Sequence, residues 1–141
     1  MALAWLDATA DWVARRLSLG EVRSKLDLFL EGEIEGKEAL KKTKTVLLRI
    51  WILVPDDLRA LRDEGLALLP QLSNSGRLAL HLGMSLAAYP MLWDTATVVG
   101  RLLDLQEEVT AAQIRRTLAE SYGERSTLLR VVSRVTGSFV D

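Results

Sequence analysis

The residues with the clearest chemical potential lie near the end of the chain, where hydroxyl and guanidinium side chains recur at helical spacing. Thr127, Arg130 and Arg134 are three and four residues apart, so they share one stripe of a helix. Aliphatic and aromatic residues recur on another stripe, at positions 128, 131, 132, 135 and 139. Arginine binds phosphates and guanine edges, and hydroxyls bind phosphates. The pattern predicts a helix with one buried side and one anion-binding side.

The preceding residues complete the outline of a helix-turn-helix. Thr110 and Gln113, with Val109 before them, predict a capping box and a hydrophobic staple at the start of a helix that runs to about residue 121. Gly123 can supply the left-handed backbone that turns the chain. Two helices joined in this way can place the second one in the DNA major groove.

Further cationic and hydroxyl residues surround this predicted turn. Arg125 precedes the last helix, and Ser126 lies at its N-terminus, where free backbone amides and the helix dipole favour phosphate. Arg115 and Arg116 on the first helix could reach the flanking DNA backbone. The alternative is a plain helical hairpin with solvated arginines, since helix pairs with a glycine turn are common in all-α proteins.

Positive charge also collects in a second segment, although the chain as a whole has a net charge of −1. Residues 37–49 carry five bases and one acid, and residues 110–141 carry five bases and three acids. The intervening and preceding segments are acidic. We therefore include Lys41, Lys42 and Lys44 as candidate DNA-backbone contacts, with an ordinary solvated helix face as the alternative.

The composition argues against an enzyme. There is no cysteine, which excludes disulfides and thiolate chemistry and fits a cytoplasmic protein. His81 is the only histidine, and its apolar surroundings predict a hydrogen-bonded core residue and not a metal ligand or a base. The carboxylate pairs at 56–57 and 63–64 fit a helix start and a solvated face. We expect no metal and no cofactor, and interpret the four tryptophans as core or interface anchors.

Hydrophobic periodicity is helical almost throughout the chain. It predicts an all-α, multi-helix domain of about seven or eight helices, with a C-terminal helix-turn-helix that is winged-helix-like. We expect N-terminal helices over 1–36, a central helical bundle over 37–108 and the helix-turn-helix unit over 109–141, sharing one core. The longest uncharged run, residues 78–93, is too short to span a bilayer, so we expect a buried core helix over 78–88 and no membrane association.

The order of these elements resembles the BrxA family of BREX bacteriophage-exclusion systems. The resemblance rests on the lysine-rich segment KEALKKTKTVLLRIW, a following Pro-Asp-Asp-Leu, an apolar helix that ends in Ala-Tyr-Pro, and a last helix that starts Ser-Thr-Leu-Leu-Arg-Val-Val. It covers roughly residues 37–141. It implies an all-helical fold with winged-helix character, duplex DNA as a partner and a role in phage defence. A wing after the last helix is expected to be absent or truncated, because the sequence stops at Asp141.

Two hypotheses for function therefore stand. The first is a non-enzymatic DNA-binding accessory protein that uses the residues named above; the resemblance carries over to Arg125, Ser126, Thr127, Arg130 and Arg134. The second is a helical protein–protein interaction module or dimeric scaffold without nucleic-acid binding, supported by the acidic balance and the apolar surface expected around Trp5 and Trp12.

Overall fold

A computed structural model describes residues 1–123, 130, 132 and 133 of the chain. The residues described include seven α-helices and two short 3-10 turns, with no β-strand among them. This confirms the all-α prediction. The helices, in chain order, are α1 Leu3–Ala14, α2 Leu19–Leu30, α3 Lys37–Trp51, α4 Arg59–Leu68, α5 Asn74–Ala88, α6 Pro90–Leu105 and α7 Ala111–Tyr122.

The chain divides into two compact units, Met1–Ala88 and Tyr89–Asp141, here called the N-terminal and C-terminal units. This division differs from the three segments expected from the sequence. Helices α1 and α2 both pack against α3, so the first 36 residues share a core with the lysine-rich helix. The boundary falls where Tyr89 is extended and Pro90 begins α6, because proline lacks the backbone donor that would continue α5.

The core of the N-terminal unit is built around Trp51 at the end of α3, which is fully buried. Leu26 and Leu30 of α2 and Leu47 of α3 are also fully buried. Helix α4 approaches closely at Gly65, where an added Cβ would lie 3.3 Å from a Leu80 methyl group. A side chain at this position would require the Leu80 methyl group to move by a few tenths of an ångström, so glycine suits the close packing.

Helix α2 begins with a capping box, for which the signal in the sequence is Ser18 three residues before Glu21. The backbone N–H of Ser18 donates to Glu21 Oε2 at 2.7 Å, and the backbone N–H of Glu21 donates to Ser18 Oγ at 3.3 Å. The hydrogen bond from the Ser18 backbone lowers the pKa of the Glu21 carboxyl, with a second contribution from the Ser18 hydroxyl. This start explains why α2 restarts directly after α1 ends.

Helix α5 is longer and less buried than the expected core helix over 78–88. It starts at Asn74, and both Leu78 and Leu82 are exposed. Only one side of the helix, which includes His81, Met84 and Ala88, is buried. The run of uncharged residues predicted a helix buried on all sides, because apolar residues also occupy the exposed side of α5. Among the described residues, none of the helices has the length and apolar character needed to cross a bilayer.

Candidate nucleic-acid interface

The C-terminal unit starts its second helix as the sequence predicts. The Thr110 backbone N–H donates to Gln113 Oε1 at 2.9 Å, and the Gln113 backbone N–H donates to Thr110 Oγ1 at 3.3 Å. The side chain of Gln106, at the end of α6, also donates to Gln113 Oε1 at 3.1 Å. These contacts fix the direction in which α7 leaves the α6–α7 connection.

The aliphatic side of α7 forms a small core with α6. Ile114 and Leu118 are buried, and so is Val132, which is helical and packs into the same cluster. The partly buried residues around this cluster are Met91, Val98, Val99, Leu102, Val109, Ala119 and Tyr122. The buried position of Val132 agrees with the aliphatic stripe predicted for the last helix.

Helix α7 ends as expected at a glycine. Gly123 has a φ of 73°, a conformation that favours glycine, and its backbone N–H donates to the Ala119 carbonyl at 2.8 Å. The Tyr122 hydroxyl donates to Asp94 Oδ2 on α6, which ties the end of α7 to the start of α6. This hydrogen bond to a carboxylate raises the pKa of the Tyr122 hydroxyl.

The described arginines of this unit point to solvent. Arg115 and Arg116 on α7 are exposed, and Arg130 is exposed and helical. Among the described residues, none of these three forms an ion pair. The contrast between exposed Arg130 and buried Val132, two residues later, is the separation of stripes that the sequence predicts. The remaining predicted site residues, Arg125, Ser126, Thr127 and Arg134, lie outside the described residues.

The lysine-rich helix α3 contributes a separate cationic surface to the N-terminal unit. Lys41 and Lys42 are exposed, as expected. Lys44 differs from the expected solvated side chain, because helical spacing turns it towards α2, where it pairs with Asp27. Its side chain is only 23% exposed. A lysine that is paired in this way is less available to a phosphate than its two neighbours.

His81 is a structural residue, as the sequence predicts. It is buried, and the Trp51 indole N–H, which can only donate, gives a hydrogen bond to His81 Nδ1 at 3.1 Å. The ring proton therefore sits on Nε2, which donates to Asp7 Oδ1 at 2.8 Å. Both ring nitrogens are occupied, so His81 has no free lone pair with which to act as a base. No group of three potential metal ligands occurs among the residues described.

Sequence reasoning missed the contacts made by three carboxylates, those of Asp7, Asp94 and Asp27. Asp7 bonds His81 and forms a longer ion pair with Arg77, whose Nε lies 3.5 Å from Asp7 Oδ1 without a hydrogen bond. Asp94 bonds Tyr122, and Asp27 bonds Lys44. Each joins residues that are distant in the chain. Helical periodicity assigns side chains to faces, but it does not say which faces meet.

A cleft of about 390 Å³ lies beside the loop between α2 and α3. Its lining includes the apolar residues Leu28, Ile34 and Leu40 and the charged residues Asp27, Glu31 and Lys37. Two carboxylates beside one amine make it a poor phosphate site.

Comparisons with protein-family models, with curated proteins and with solved structures found no match to this chain.

Proposed function

We propose that the chain is a non-enzymatic, cytoplasmic accessory protein that binds duplex DNA through the C-terminal unit. The proposal rests on one observation: Arg130 faces solvent while Val132 is buried against Ile114 and Leu118. An amphipathic helix whose cationic stripe is turned outward is the element that a helix-turn-helix inserts into the major groove.

Arg115 and Arg116 add exposed cations to the helix that would cross the DNA backbone. Arg125, Ser126, Thr127 and Arg134 belong to the proposal on their sequence positions alone. Lys41 and Lys42 form a further exposed cationic pair on α3 that would suit phosphate contacts. The role in phage defence rests on the resemblance to the BrxA family.

A salt titration of duplex binding tests this proposal. Fluorescence anisotropy with a labelled duplex would compare the wild type with a double variant, Arg115→Ala with Arg130→Ala. If both arginines contact phosphates, the slope of log affinity against log salt becomes shallower by about two units. Affinity should also fall at every salt concentration, because two cationic contacts are lost.

The matched control is Arg23→Ala with Arg59→Ala, which removes the same charge from two exposed positions of the N-terminal unit. It should leave the salt slope within experimental error of the wild-type value. Absence of wild-type binding at low ionic strength, or an equal loss in the control, would refute the proposal. Circular dichroism of each variant would confirm that the helices are intact.

A second candidate function is a protein-interaction module, and one surface of the N-terminal unit favours it. Leu28 and Phe29 of α2 are exposed, and the Phe29 ring packs edge-on against Trp12 with 5.8 Å between ring centroids. Lys25 Nζ lies 5.7 Å from the centre of the Trp12 ring. Neighbouring exposed apolar side chains of this kind are typical of partner-binding surfaces. If this surface is the functional one, Leu28→Glu should abolish partner binding and leave DNA affinity unchanged.

A further inference from the structure

The N-terminal unit contains a buried titratable group that the proposed function does not use. His81 is 1% exposed, and its ring bonds Trp51 of α3 on one side and Asp7 of α1 on the other. It is the only histidine of the chain. Histidine is the side chain that ordinarily changes its charge between pH 5 and 8. A change of side-chain charge in this pH range is therefore expected first at His81.

The Trp51 indole leaves no room for a second ring proton on His81. The indole N–H donates to Nδ1 at 3.1 Å, and an indole can only donate. A proton on Nδ1 would make two donors face each other at this distance. Both rings are buried, so the indole N–H would then lack an acceptor. An unpaired buried donor is unfavourable, and this contact therefore favours the neutral ring while the unit is folded.

The carboxylate next to Nε2 already has a cation beside it. Nε2 donates to Asp7 Oδ1 at 2.8 Å, in a hydrogen bond that both forms of the ring can make. Arg77, about one helical turn before His81, has its Nε 3.5 Å from the same oxygen. Because the Asp7 and Arg77 charges balance each other, a protonated His81 would leave one net positive charge in the cluster. A buried charge without a partner of its own is unfavourable.

The other charged side chains of the helices that pack around this cluster have different surroundings. Apart from His81, Arg77 is the only charged or titratable residue of α5. The charged residues of α4, the last turn of α3 and the rest of α1 are exposed or bond a neighbour close in the chain. They are Asp11, Arg49, Arg59, Arg62, Asp63 and Glu64. Asp7 and Arg77 are therefore the charges that face the His81 ring.

We propose that the Trp51–His81 hydrogen bond is an acid-sensitive contact between α3 and α5, kept while the ring is neutral and lost when the ring takes up a proton. An imidazole in an unfolded chain takes up a proton near pH 6.5. The folded chain excludes this proton, so the unfolded state binds more protons and is favoured as the pH falls below about 6.5. The inference is independent of DNA binding, because it concerns only the core of the N-terminal unit.

Urea titrations at about pH 7.5 and about pH 5 test the contact, with His81→Gln as a reference that does not titrate. The glutamine amide carries both an acceptor and donors, as the neutral ring does. Acidification should raise the unfolding constant of the wild type by about 30-fold more than that of His81→Gln, because pH 5 lies about 1.5 units below 6.5. Aspartates and glutamates are common to both proteins, so their titration cancels. An equal pH dependence, or a wild type relatively more stable in acid, would overturn the proposal.

Arg77→Gln tests the balance of charges. Without the guanidinium, the Asp7 carboxylate can balance a protonated His81, so the excess effect of acid should shrink well below that of the wild type. The matched control is Arg59→Gln, which removes an exposed arginine that pairs with Asp56 at 2.8 Å, and it should keep the full effect. An Arg77→Gln protein with the wild-type pH dependence would refute the charge balance on which the proposal rests.

The wild type alone provides a second measurement, which does not depend on how any variant folds. Because the chain has one histidine, the NMR signals of the imidazole carbon-bound protons belong to His81 without further assignment. In the folded chain these signals should keep the positions of the neutral ring as the pH falls to about 5. A ring that takes up a proton near pH 6.5 while the chain stays folded would contradict the proposal, whatever the stability of His81→Gln.

Discussion

The N-terminal and C-terminal units place apolar side chains of the same kind in different surroundings. The N-terminal unit buries Trp51 completely at the meeting point of α3, α4 and α5. The described part of the C-terminal unit has a small aliphatic core of Ile114, Leu118 and Val132, and it leaves Trp93 largely in solvent. Apolar area removed from water stabilises a fold, whereas apolar area left in water is available to a partner. The comparison indicates that Trp51 stabilises the fold, whereas Trp93 is available to a partner.

Polar groups show the same contrast. In the N-terminal unit, His81 is buried and both of its ring nitrogens have partners, so the network orients α1, α3 and α5. In the C-terminal unit, the described arginines face solvent. A buried polar group must be satisfied where it stands, while an exposed cation keeps its capacity for an external anion. Anion binding is therefore expected at the exposed arginines, which have few partners within the described part of the chain.

Replacing Trp51 or Trp93 by alanine gives the largest expected difference between the units, a difference in the loss of unfolding free energy. Trp51→Ala should lower the free energy of unfolding by about 3–5 kcal/mol, because it leaves a cavity and removes the donor to His81. Trp93→Ala should change it by no more than about 0.5 kcal/mol. Urea denaturation followed by circular dichroism measures both. Equal losses would contradict the different roles assigned to Trp51 and Trp93.

The buried polar network gives the next largest effect. Asp7→Ala leaves the His81 Nε2–H without its acceptor, which should cost about 1–3 kcal/mol of unfolding free energy. Asp11→Ala, one turn further along α1, is the matched control. Asp11 pairs with Arg15 at 3.0 Å, but both side chains are exposed, so its loss should cost less than about 1 kcal/mol. The same urea titration compares them, and a control as destabilised as Asp7→Ala would contradict the role assigned to the network.

Local signals in the sequence were sufficient for much of the fold. Both capping boxes, at Ser18 and Thr110, are present, because a cap depends only on residues within one helical turn. The break at Tyr89 and the end of α7 at Gly123 also follow from single residues. The buried, hydrogen-bonded state of His81 was confirmed as well, because a lone histidine among apolar residues has few other stable states.

The failures involve faces whose partners lie elsewhere in the chain. Lys44 was expected in solvent, and Asp27 of α2 holds it. Leu78 was assigned to a buried helix and is exposed. In each case periodicity gave the correct helix but not the surroundings of the side chain, since those depend on how other helices pack. For the candidate site, the sequence predicted the separation between Arg130 and Val132, while the contact between Tyr122 and Asp94 came only from the structure.

The smallest expected effect on stability concerns the hydrogen bond between Tyr122 and Asp94, and its pH dependence appears only in alkaline solution. The Asp94 carboxylate raises the pKa of Tyr122 above its ordinary value of 10.0, so the protonated hydroxyl is favoured in the folded state. A pKa that is raised by folding contributes stability below the unfolded value and loses it as the pH rises. The wild type should therefore be more stable than Tyr122→Phe at neutral pH, and the difference should shrink above about pH 10.

Urea titrations of both proteins at several pH values measure this difference in stability. Lysines titrate in the same range but are common to both proteins, so they cancel in the difference. A difference that does not vary with pH would mean that the hydroxyl does not couple the end of α7 to α6.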